Sequence, residues 1–414
     1  MATVNPFPGI RPESSLAAQI AALPYDVYNR HEAKVEIAAH PMSFLRIDRP
    51  ETQFPDDYDM YSPKVYQRAS EILHGMIKDG LFIQDTKDVY YIYSLTYKNR
   101  TQTGVVGCGS IDDYENHIIK KHENTRPGKE LDRFNHIEAC RAQTGPVFMA
   151  YHPIPSLSNL LEKLKKNPSL YDFVADDQVR HQVWLVDGDR EIKEIQQAFT
   201  QVNSIYIADG HHRAESAANV GLIHRLDGSE DHTGQEPYNF MLGVFFAQDQ
   251  LEIMDYNRYV KDLNSHETKD FLDIIKSKFT LSKPTQVCPK PSKKGEVAMY
   301  IAGNWYLFDL NEHSETAFES PVDGLDVALL QNRILAPILG IENPKTDKRI
   351  EFVGGIRGAK DLANRVDTGG GVAFAMYPTS MDELFAVADA NMLMPPKSTW
   401  FEPKLRSGLF IHQI

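Results

Sequence analysis

Ile205-Tyr206-Ile207-Ala208-Asp209-Gly210-His211-His212-Arg213-Ala214-Glu215-Ser216 is the stretch on which the reading of this chain turns. Its first four residues are strand-like, Gly210 permits a tight turn, and the alanine-rich continuation reads as a helix. A strand that turns at glycine into a helix aims unpaired backbone N–H groups and a partial positive charge at one point. Arg213 adds a forked pair of donors. The stretch is either an anion-binding loop, for which phosphate is the best-fitting ligand, or a strand-to-helix turn capped by Asp209 with its histidines exposed.

Outward from this loop, helical spacing of apolar residues predicts helices over 32–39, 63–78, 157–166, 190–202, 326–339 and 382–391. Residues 89–97 and 102–111 are rich in β-branched and aromatic residues and flank a polar turn, so they predict an antiparallel hairpin. Further strands are expected at 182–186, 238–246, 251–260 and on either side of Gly303-Asn304, and the glycines at 369–371 read as a turn. Hairpins and helices without regular β-α-β alternation indicate a mixed α/β (α+β) architecture. A soft boundary at Asp262 divides the chain into 1–262 and 263–414, the second region being expected to complete the site.

The chain has 414 residues, 42% of them hydrophobic, which suits a folded protein of two or three domains. A net charge of −13 argues against a general nucleic-acid surface, which needs a basic field. Cys108, Cys140 and Cys288 fit neither a disulfide framework nor a zinc site, so a reducing, cytoplasmic compartment is expected. No stretch approaches the ~18 apolar residues of a membrane span.

Two other runs carry chemistry. His122-Glu123-Asn124-Thr125-Arg126-Pro127-Gly128-Lys129-Glu130-Leu131-Asp132-Arg133 offers Glu123 as a general base or magnesium ligand, Arg126 and Lys129 for anionic oxygens, and His122 to orient or shuttle a proton. A solvated charged helix explains the same residues. Near the carboxyl end, Lys397, Ser398, Thr399 and Lys404 together can close over a phosphate, or the prolines can stiffen a tail that packs through Trp400, Phe401, Leu405 and Phe410. His122, Glu123, Asp209, His211 and His212 are all metal-ligand types, but adjacent histidines project in different directions and serve one ion poorly.

Asp209-Gly210-His211-His212-Arg213 resembles the nucleotide-phosphate loop of the ParB amino-terminal and sulfiredoxin-like superfamily, in the form found in its free-serine kinases. Sulfiredoxin has a nucleophilic cysteine where this chain has His211, which disfavours sulfinic-acid reduction. ParB-type switches carry two arginines and a DNA-binding region, which the acidic charge here does not supply. As a whole the chain is similar to a bacterial and archaeal family of unknown function loosely labelled ParB-like. The similarity runs through Pro24-Tyr25-Asp26-Val27-Tyr28, Arg46-Ile47-Asp48-Arg49-Pro50-Glu51, the run from His122 to Arg133, the Asp209 loop and the tail from Met394 to Leu409.

The resemblance implies a nucleotide-binding core and a magnesium-dependent kinase that transfers a phosphoryl group from ATP or ADP to free L-serine, with no nucleic-acid or membrane partner and with a homo-oligomer left open. It implies that Gly210, His211, His212 and Arg213, with Lys397, Ser398 and Thr399, cradle phosphates. Glu123, Asp209, His211 and His212 are then the catalytic candidates, with Glu123 and Asp209 for magnesium. Arg126 or Arg46 is expected to hold the substrate carboxylate and Asp26 or Asp48 its ammonium, beside His122. A non-catalytic nucleotide sensor and a metal-dependent hydrolase are the alternatives.

Overall fold

The computed structural model describes residues 1–226, 232–312 and 318–414, and these form two compact units. The first is Met1–Leu251 together with Pro403–Ile414, and the second is Glu252–Glu402. Where sequence composition suggested a cut at Asp262, the units divide eleven residues earlier in the chain's first crossing, and the last twelve residues return to the first unit.

A mixed sheet of nine strands organises the first unit. In chain order these are β1 (Val4–Asn5), β2 (Tyr90–Tyr97), β3 (Arg100–Ser110), β4 (Ile119–Lys120), β5 (Val147–Tyr151), β6 (Tyr171–Val174), β7 (Arg180–Val186), β8 (Ile205–Asp209) and β9 (Phe240–Ala247). Their order across the sheet is β4-β8-β5-β9-β3-β2-β7-β6, with β1 paired to β3. β8 runs parallel to β4 and β9 parallel to β5, and the remaining pairs are antiparallel. The expected hairpin is β2–β3, closed at Lys98-Asn99, with Lys98 at φ 53° and Tyr97 opposite Arg100.

Helices of this unit include α1 (Arg30–Ala39), α2 (Leu45–Asp48), α3 (Pro63–Lys78), α4 (Pro127–Cys140), α5 (Pro155–Leu164), α6 (Asp189–Phe199) and α7 (His211–Leu226). α3 begins with Pro at its first position, where no N–H is missed, and buries Val65, Tyr66, Ala69, Ile72, Leu73 and Met76 at helical spacing. One apolar cluster joins the sheet to α5, α6 and α7 through Leu157, Leu161, Ile195, Phe199, Ala214 and Ala217. A second gathers α1, α2 and α3 around Phe44, Leu45, Ile47 and Leu73 and reaches Cys140 at the end of α4. Among the described residues no helix is long and apolar enough to cross a membrane.

The second unit is built on five antiparallel strands, β10 (Tyr256–Val260), β11 (Glu296–Ile301), β12 (Asn304–Asp309), β13 (Ile350–Gly354) and β14 (Val372–Met376), in the order β12-β11-β14-β10-β13. Helix α8 (Gly358–Gly369) covers one face through Leu362 and Val366 against Tyr259, Ala298 and Ala373. The helix expected over 326–339 is α-helical only over Asp326–Leu330, then widens to a π turn at Gln331–Leu335. There Ala336 N–H reaches back to the Gln331 carbonyl at 2.9 Å, and the Arg333 guanidinium lies 4.8 Å from the centre of the Phe279 ring.

The glycine turn at 369–371 is demanded sterically. Gly371 has φ 77°, and a Cβ there would lie 1.9 Å from the Val260 carbonyl oxygen. Gly371→Ala is therefore expected to lower the unfolding free energy by about 3 kcal/mol, read from denaturant melts as an early loss of the second unit. A wild-type midpoint would refute this account of the turn.

Candidate functional site

The opening loop folds as its sequence suggests. β8 ends at Asp209, Gly210 turns at φ 96°, and α7 starts at His211. Glycine is required here by φ, and a Cβ would in addition press on the Arg213 guanidinium at 2.9–3.0 Å. With no side chain in the way, that guanidinium lies flat on the turn, donating from Nη1 to the Pro146 carbonyl. Its Nη2 is 4.0 Å from Asp209 Oδ2. From the returning carboxyl segment, Lys404 Nζ donates to the same Asp209 oxygen at 3.2 Å. Burial works against the charge on Asp209, but Lys404 and Arg213 outweigh it and hold the carboxyl well below the usual range.

The two histidines of the loop are divided by their positions on α7. His211 is buried and packs edge-to-face on His122, ring centres 4.5 Å apart. His211 Nε2 and both ring nitrogens of His122 are buried and make no hydrogen bond of good geometry, although an Ile207 backbone group faces the His122 ring. Burial brings His122 down to about 4, with an Ile207 backbone group and the Asp209 charge opposing it only in part. Burial, then the neighbouring His122, keeps His211 well below the usual histidine value. His212 is half-buried, and its Nε2 accepts the Arg126 backbone N–H at 3.1 Å, tying the start of α7 to the start of α4. One turn on, Ser216 Oγ donates to the Glu130 carbonyl at 2.9 Å and fixes the same two helices.

Beside the loop lies a narrow cleft lined by Asp48, Arg133, His136, Thr144, Gly145, Arg213 and Ser407. Asp48 is 2% exposed and accepts from Thr144 Oγ1 at 3.0 Å. Arg133 is paired with Asp132 through Nε and Nη2 at 3.1 and 3.0 Å, and stacks 4.0 Å from the Tyr25 ring centre. His136 Nε2 faces the Ile47 carbonyl at 2.8 Å.

The expected site residues thus divide. Asp209, Gly210, His211, His212, Arg213 and His122 come together at the β8–α7 turn, and of these Arg213 lines the cleft with Asp48. Asp26 is exposed but close enough for its charge to act on His212. Arg46 turns to the Pro41 carbonyl at 2.8 Å and does not line the cleft. Arg126 is exposed and Glu123 half-buried on the loop before α4.

Lys397, Ser398 and Thr399 belong to the second unit. Lys397 adopts φ 61°, with Nζ 5.8 Å from the Tyr256 ring centre and its carbonyl accepting from the buried Arg258 at 3.1 Å. Ser398 Oγ donates to the Pro395 carbonyl at 2.7 Å.

Arg133, His136 and Thr144 carry no role in the sequence reading. Arg133, His136 and Ile137 stand at i, i+3 and i+4 of α4 and all border the cleft, a spacing that was visible in the sequence. For magnesium, Asp209 is a poor fit, because an ammonium and a guanidinium already face its carboxylate. Among the described residues no three His, Cys, Asp or Glu side chains are grouped to hold a metal ion.

No curated protein matches the chain. Solved structures with a distant likeness include a carboxyl-terminally truncated SbnI from Staphylococcus aureus, 11% identical, covering 73% of this chain and 85% of that one at a TM-score of 0.37. A free serine kinase, as a point mutant in complex with ADP, is also 11% identical, covering 76% of this chain and 94% of its own at 0.35. A conserved hypothetical protein from Pyrococcus furiosus is 12% identical, covering 76% and 96% at 0.31. The family described as "Protein of unknown function (DUF1015)" matches residues 4–328, and the chain belongs to that family.

Proposed function

We propose that this protein is a small-molecule kinase that moves a phosphoryl group from ATP or ADP to the hydroxyl of free L-serine, giving O-phosphoserine. The observation that carries the reading is the cleft lined both by Arg213, on a phosphate-type loop, and by the buried Asp48. A phosphoryl acceptor with an ammonium group finds its counter-charge at Asp48, whose oxygens have capacity beyond the single Thr144 donor. Arg133, held planar by Asp132 and Tyr25, faces the same cleft and suits the acceptor's carboxylate.

In the transfer, the serine oxygen forms a bond to phosphorus as the bond to the leaving nucleotide oxygen breaks, and the hydroxyl proton leaves to a base. His211 is the proposed base. Burial keeps it neutral, and its Nε2, closed off against His122 at rest, takes the proton once the turn opens to the acceptor. Arg213 and the first N–H groups of α7 stabilise charge on the moving phosphoryl.

Purified protein with nucleotide, magnesium and serine should yield O-phosphoserine by phosphorus NMR. Asp48→Asn should raise the KM for serine by about 100-fold and leave nucleotide affinity unchanged. Nucleotide binding with no turnover on any amino acid or small alcohol would replace the kinase reading with that of a nucleotide sensor.

A further inference from the structure

We propose that Lys404 and Arg213 form a two-cation clamp for a phosphoryl group, and that Asp209 is the placeholder that keeps both cations in position until the anion arrives. This deepens the phosphate-loop reading and does not depend on the kinase activity built upon it.

Asp209 and Lys404 are 195 positions apart in sequence and meet at 3.2 Å. The approach is built rather than incidental, because the segment carrying Lys404 is fastened on both sides. Pro403 accepts from Gln102 Nε2 at 3.5 Å. Arg406 donates from Nε to His181 Nε2 at 3.2 Å and from Nη2 to Asp177. Ser407 N–H then donates to the Ala22 carbonyl at 2.9 Å. The Lys404 and Arg213 side chains are 16% and 12% exposed, against 34% for Asp209, so Asp209 is the most exposed side chain of the trio.

Asp209 thus faces both an ammonium and a guanidinium at the start of α7, where backbone N–H groups also point outward. The neighbouring His211 and His212 are both shifted toward their neutral forms by burial and add no competing acid. A di- or triphosphate offers more oxygens than Asp209 does, in a geometry that both a fork and an ammonium can engage. On arrival it takes over the two cations and displaces the carboxylate from them. Asp209 on this account is a positioning residue and a competitor for the clamp, and not a metal ligand.

The test is calorimetry with pyrophosphate on the full chain, metal-free and at low ionic strength. Lys404→Met should weaken binding by 10-fold or more, and Lys404→Arg should restore most of it. Asp209→Asn should tighten binding at least threefold, since it removes the internal competitor. Circular dichroism checks that each variant is folded, and Lys404→Gln replaces the methionine variant if that one is not.

Binding by Lys404→Met within twofold of wild type would overturn the clamp, and equal or weaker binding by Asp209→Asn would overturn the placeholder. A protein that shows these effects and forms no phosphoserine retains the clamp and loses the kinase reading. One that forms phosphoserine with pyrophosphate binding unmoved by either substitution retains the kinase and loses the clamp.

Discussion

Under the proposed kinase activity, Arg213→Ala is expected to lower kcat/KM for phosphoryl transfer by about 10³-fold or more and to leave the protein folded. The guanidinium is the point where the loop and the cleft meet: it lies on the Gly210 turn, donates to the Pro146 carbonyl and borders the cleft that holds Asp48. A planar fork fixed in this way stabilises charge on a transferring phosphoryl without having to reorganise, which is why its loss falls on the transition state. The structural cost is small. Position 213 is in the first turn of α7, alanine is the best helix former, and what is lost is one bond to a carbonyl and a 4.0 Å ion pair. Steady-state kinetics alongside a thermal melt separates the two effects. Arg213→Lys should recover little, because a single ammonium cannot span two phosphoryl oxygens at fixed geometry. A variant with full rate would remove Arg213 from the site.

What could be read in advance follows from the range of the interactions involved. The β2–β3 hairpin, the α3 stripe and the β8–α7 turn are local, set by residue spacing within one element, and each stands where the sequence puts it. The order β4-β8-β5-β9-β3-β2-β7-β6 was not legible, because pairing β8 with β5 and β9 with β3 joins segments far apart in the chain. The same limit hid the site's second half. His211 was visible as a loop residue, but its partner His122 comes from 89 positions earlier, and nothing local says that their rings meet. Lys404 was legible as a phosphate-type cation in the tail, but its contact with Asp209 depends on the tail returning to the first unit.

Arg46 and Asp48 show how a motif can mislead even when it is local. Both stand in one run, but on α2 residues two apart project to different sides. Asp48 therefore enters the cleft while Arg46 turns back to Pro41, and the cationic partner comes from Arg133 on α4 instead. A pair of candidates chosen from one motif has to be checked against helical phase before both are assigned to one ligand.

Stability should fall steeply as pH drops from about 6.5 toward 4, a range in which most carboxylates are still ionised. His122 and His412 are brought down to about 4 by burial. His211, His181, His136 and His212 are also lowered, in each case first by burial and then by His122, Arg406, Arg133 and Lys129 respectively. A histidine with a depressed folded value does not take up the proton that the unfolded chain binds below ~6.5, so its contribution is present at neutral pH and lost on acidification. Each such group tilts stability by up to about 1.4 kcal/mol per pH unit, and His122 alone accounts for about 3 kcal/mol across the window.

Asp326, raised by burial to about 7, and Asp113, also raised by burial, act in the opposite sense, since their folded forms gain the proton first. Asp209, held low by Lys404 and Arg213 against its burial, loses its contribution only below the window. Six groups against two leave a net loss on acidification, to be set beside the ~5–15 kcal/mol of a typical domain, so the urea midpoint should fall steadily below pH 6.5. His122→Phe keeps a ring against His211 and removes two buried nitrogens, so it should flatten the pH slope by about one proton and unfold at lower pH. Urea titrations from pH 4.5 to 8 decide this. A stability that is level from pH 7 to 5, or an unchanged slope in His122→Phe, would mean that these imidazoles are not kept neutral by burial, and His211 would then lose the property that suits it to accept a proton.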